Sequence, residues 1–102
     1  MAFRFPADCD TAAERAEFCL IAAEKLRLLH NAAKSDDARF LILEKQKRVL
    51  FWAQAFMKLA GIQGKDLTAQ KQAAYADFKA AAKVSTKYAP NLDEVDPYED
   101  AG

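Results

Sequence analysis

Large apolar residues recur along this chain at spacings of three and four in three stretches separated by short polar breaks, which is the signature of amphipathic helices. In the first stretch the stripe is Cys19, Ala22, Leu26, Leu29 and Ala33, with Phe18 alongside. In the middle one, Ile42, Val49, Ala53, Phe56 and Ala60 fall on one line. Leu41, Trp52 and Leu59 flank it on one side, and Leu43, Leu50 and Met57 on the other. At about 100° per residue that arc is roughly 200° wide, about twice what a helix lying on a core needs. The middle helix is therefore expected at the centre of the fold, covered from two sides. The third stretch is thinner: Leu67, Ala74, Phe78 and Ala81 in line, Tyr75 and Ala82 beside them, Tyr88 at the end.

Capping signals set the boundaries. Thr11-Ala-Ala-Glu14 has the capping-box form and starts helix 1, which is expected to run to Ala33. Ser35, followed by Asp36 and Asp37, starts helix 2, which Gly61 ends after Ala60. Asp66 or Thr68 caps helix 3, which is expected to reach about Lys87 before Pro90 forbids continuation. So short a break at Ser35 folds helices 1 and 2 into an antiparallel hairpin. The fold class predicted is all-α: a three-helix antiparallel bundle with helix 2 central. An extended N-terminal arm carries Phe3, Phe5 and Pro6, and a flexible acidic C-terminal tail follows the bundle. The domain would span 1–90 and the tail 91–102.

Composition sharpens this picture. Only three Gly and three Pro occur in 102 residues, leaving little material for strands and hairpins. Formal net charge is zero, yet residues 1–38 carry 5 basic and 7 acidic side chains, 39–87 carry 10 and 3, and 88–102 carry none and 5. A basic second half and an acidic tail on one chain can attract each other or sort partners. No apolar run approaches the ~18 residues of a membrane span. Cys9 and Cys19 fit no metal-ligand spacing, and no signal-like segment precedes them. Two reduced thiols in a cytoplasmic protein are expected.

Candidate chemistry is sparse. His30 is the one histidine, and the residue three before it is Arg27, not the Glu of a helical di-iron motif. Neither a phosphate loop nor a nucleophile elbow is present, so no enzyme and no cofactor or metal is expected. Residues 56–72 are similar in part to a helix-turn-helix, with Gly61 in the turn and Gln70, Lys71 and Gln72 placed to meet a duplex, making a small DNA-binding regulator the alternative reading. The main expectation comes from residues off the helical pattern. Ile21 with Leu28, and Phe40 with Phe51, form second apolar seams, and exposed seams of this kind mark protein contacts. The chain reads as a protein-interaction module or adaptor, with a homodimer as the simplest partner. Ile21, Leu28, Phe40 and Phe51 are the expected anchors, Lys79, Lys83 and Lys87 a basic rim, and Asp93, Glu94 and Tyr98 part of an acidic docking segment.

Overall fold

The computed structural model of the chain describes residues 3–62 and 69–97, with side chains on the third helix from residue 72 onward. The described residues are all-helical, with no strand among them: α1 (Ala12–Ala32), α2 (Asp36–Leu59), α3 (Ala69–Val84) and a 3₁₀ turn at Leu92–Glu94. Three of these ends have a clear local cause. The Glu14 backbone N–H donates to Thr11 Oγ1 at 3.1 Å and the Thr11 N–H donates to Glu14 Oε1 at 3.4 Å, closing the capping box of α1. Ser35 Oγ accepts from the Ala38 N–H at 3.2 Å to start α2. Gly61, at φ 73°, ends it, with Ile62 N–H donating to the Met57 carbonyl and Gly61 N–H to that of Lys58. The capping positions Asp66 and Thr68 lie outside the described residues.

α3 stops at Val84 rather than at Lys87. Beyond it Ser85 Oγ accepts from the Lys87 N–H at 3.2 Å, a local side-chain bond that competes with the helical ladder. The regular edge expected from Lys79, Lys83 and Lys87 therefore breaks after its second member.

The central helix is α1, not α2. Among the described residues α1 packs against both other helices, while α2 and α3 scarcely meet. Ala16, Phe18, Cys19, Ile21, Ala22, Ala23 and Leu26 of α1 are buried, an arc of about 220° at 100° per residue. On α2 only Val49, Trp52, Ala53 and Met57 are buried, about 140°. Size misled the sequence reading: α2 carries the bulk, but the alanines and cysteine of α1 allow close approach on two sides.

Both chain segments outside the helices join the core. Phe3 of the extended arm is 1% exposed. Its ring stacks on Trp52 at 5.5 Å between centroids and tilts against Phe18 at 5.1 Å. Phe5 meets Phe18 edge-on at 5.3 Å and Phe56 at 5.5 Å. The arm turns back at residues 6–9, where the Cys9 N–H donates to the Pro6 carbonyl at 3.0 Å. After α3, Tyr88 places its ring 5.5 Å from Phe18. Tyr88 and Val95 are buried, and Leu92 packs on the same cluster. As far as Pro97, then, the tail is laid on the helices and is not a free segment. Its apolar content is too small to fold alone, but it only has to cover a surface already present.

The aromatic cluster makes Phe3 a core residue: Phe3→Ala should lower stability by about 3–5 kcal/mol, and Phe51→Ala by less than about 1 kcal/mol, as read from chemical denaturation of each variant. Removing residues 91–102 should likewise destabilise the protein, by about 1.5–3 kcal/mol through the loss of buried Val95 alone, with a corresponding fall in Tm; an unchanged melt would place Val95 outside the core.

Candidate protein-binding surface

Burial is set as much by position along the hairpin as by rotation around each helix. On α1 the last buried residue is Leu26, and on α2 the first is Val49. Beyond them Ile42 still packs on the core, and most other apolar side chains are exposed. Six residues of α1 and the opening turns of α2 project toward the Ser35 connection, about 9 Å of helix on the α1 side. Leu28 (55% exposed), Leu29, Phe40 (59% exposed), Leu41 and Leu43 all sit on this end with much of their surface in solvent. Leu29 is on the inward stripe of its helix and is still 48% exposed.

The predicted anchors therefore separate. Phe40 and Leu28 lie together on the overhang. Ile21 does not belong with Leu28: it is 2% exposed, buried because α1 takes neighbours on two sides. Phe51, 53% exposed, lies in line with Phe40. Between them stand Glu44 and Lys47, whose ion pair of 3.1 Å interrupts the expected seam. The Arg48 guanidinium also lies 6.0 Å from the Phe51 ring centroid. Of the three lysines, Lys87 turns to the Tyr88 ring, 5.1 Å away, and to Glu14, 4.0 Å away. Lys79 and Lys83 remain together on α3.

The acidic segment is occupied within the molecule. Glu94 Oε2 accepts from the Arg4 backbone N–H at 3.1 Å, and Asp93 is exposed. Lys45 Nζ donates to the Leu92 carbonyl at 3.2 Å and Arg48 Nη2 to that of Pro97 at 3.3 Å. Basic residues of α2 thus hold the tail through its backbone. Tyr98 lies outside the described residues, as do the side chains of Gln70 and Lys71 of the helix-turn-helix reading.

A groove went unread in the sequence. It encloses about 370 Å³ between the three helices, with Leu20 and Ala23 of α1 as floor, Leu50 and Met57 of α2 on one wall, and Tyr75 and Lys79 of α3 on the other. The sequence puts Leu50 and Met57 on one flank of α2 and expects that flank to be covered. Met57 is buried, but Leu50 is 36% exposed because α3 does not close on α2.

Cys9 and Cys19 are free and buried, and burial raises both thiols above their ordinary pKa. His30 sits in the last turn of α1, where its carbonyl accepts the Ala33 N–H. Among the described residues no group of three or more His, Cys, Asp or Glu is placed to hold a metal, and no helix is long and apolar enough to cross a membrane. Glu14 is held below the usual carboxylate pKa, first by the Thr11 hydroxyl, which donates to it at 2.8 Å, and further by Lys87 and Tyr88. No protein-family model matches the chain, nor does any curated protein or solved structure.

Because the folded-state pKa of Glu14 is depressed, its contribution is complete above the unfolded value and is lost as pH falls through the folded one. Glu14→Gln should flatten the acid limb of a Tm-against-pH curve relative to wild type; parallel curves would show that the carboxylate is not stabilised in the fold.

Proposed function

We propose that this chain is a non-enzymatic protein-interaction module, a three-helix antiparallel bundle whose hairpin end pairs with a second copy of itself. The observation that carries this reading is the overhang, where Leu28, Leu29, Phe40, Leu41 and Leu43 hold large apolar surface in water at one end of the molecule. Monomeric proteins avoid apolar surface concentrated in this way. A two-fold axis at the overhang would cover the same residues on both chains at once, with the α1–α2 hairpin of one copy against that of the other. Two reduced, buried thiols suit a reducing compartment such as the cytoplasm.

Light scattering on the full chain at micromolar concentration should give close to twice the 11.3 kDa chain mass. Leu28→Glu combined with Phe40→Glu should reduce this to the monomer while the circular dichroism stays helical, because a charge buried at an interface without a partner is costly. A wild type that stays monomeric at every accessible concentration sinks the self-association.

A further inference from the structure

We infer that the groove between α2 and α3 is the docking site for a single amphipathic helix with acidic flanks, contributed by a partner protein. This surface is separate from the hairpin end and does not depend on it. Its existence follows from the packing order: α1 accepts α2 and α3 on different sides, and they diverge over it. The result is two helical walls on a helical floor, the place a fourth helix takes in a bundle.

Three features select the occupant. On α2 the groove's lining runs from Gln46 through Leu50 and Ala53 to Met57, about 17 Å at 1.5 Å per residue. A small molecule covers a fraction of that length, whereas three turns of helix match it and meet the lining with residues at i, i+3, i+4 and i+7. The charge is one-sided. Arg27, Lys79 and Lys83 line the groove, against one carboxylate among its described lining, Glu24. Arg27 Nε already donates to that carboxylate at 3.0 Å, and the pair lowers its pKa, so it is ionised and engaged. Finally, Lys79 and Lys83 stand one turn apart, with Lys79 Nζ held 4.7 Å from the Tyr75 ring centroid. Carboxylates spaced one turn apart along an incoming helix would meet them in register, and charges at such a rim set partner choice.

The test uses the full chain and two fluorescein-labelled helix-forming peptides of 18 residues with the same Leu/Ala stripe, one flanked by Glu and the other with Lys replacing every Glu. Fluorescence anisotropy should show saturable binding of the acidic peptide, weakened by added salt, and little binding of the basic one. Lys79→Glu with Lys83→Glu should weaken the acidic peptide by about tenfold or more and admit the basic peptide, and Leu50→Glu should remove binding of the acidic one. Circular dichroism of each variant checks that the fold survives. The Leu28→Glu, Phe40→Glu chain should bind like wild type, which separates this site from self-association at the hairpin end. Equal affinity for both peptides, indifference to the lysine reversals, or no saturable binding up to about 100 μM would each overturn the assignment. So would a groove that takes dodecanoate but neither peptide.

Discussion

The ring of Phe3 lies against Phe18 of α1 and Trp52 of α2, and much of the molecule depends on those two contacts. The α1–α2 hairpin supplies only part of a core, since its buried residues stop at Leu26 on one arm and begin at Val49 on the other. The arm closes that core from one side through Phe3 and Phe5, and the segment after α3 closes it from another through Tyr88 and Val95. Aromatic pairs at these separations add about 0.5–1.5 kcal/mol each beyond area burial. They also offset a local cost: Trp52 Nε1 is buried with no acceptor among the described residues, a penalty of about 1–3 kcal/mol.

From this arrangement both exposed surfaces follow. Phe3, Phe5, Tyr88 and Val95 cover the part of the hairpin around Phe18 and Trp52, and Leu28 and Phe40 lie outside that cover. Because α1 rather than α2 stands in the middle, α2 buries only one face and its Leu50 flank opens onto the groove. The apolar excess of α2, which as sequence suggested a helix enclosed on two sides, is thus divided between the Trp52 contact with the arm and residues that remain in solvent.

How far the sequence disclosed this depended on the range of the interactions concerned. The caps at Thr11, Ser35 and Gly61 were legible because each is written within a few consecutive residues. Which helix is central was not, because that turns on how closely two helices approach, and small residues such as Ala16 and Ala23 weigh little in a hydrophobic pattern although they permit that approach. Leu28 and Phe40 were legible as departures from helical phase. Ile21 carried the same departure and is buried, since phase reports direction around a helix and not distance along it. The groove left no direct mark at all, being a consequence of two helices failing to meet.

The backbone of Arg4 is bonded to the side chain of Glu94, 90 positions away in sequence. Phe3 and Trp52, and Phe18 and Tyr88, are also distant partners. During synthesis the hairpin can form as soon as α2 has left the ribosome, since its contacts are local and loop closure at Ser35 is short. The core cannot be completed until residues 88–95 emerge. Throughout that interval Phe18 lacks the Tyr88 ring that later covers it, and the nascent chain exposes more of its aromatic cluster than the finished protein does. Until that segment arrives, the incomplete chain presents apolar surface of the kind that makes folding intermediates prone to aggregate.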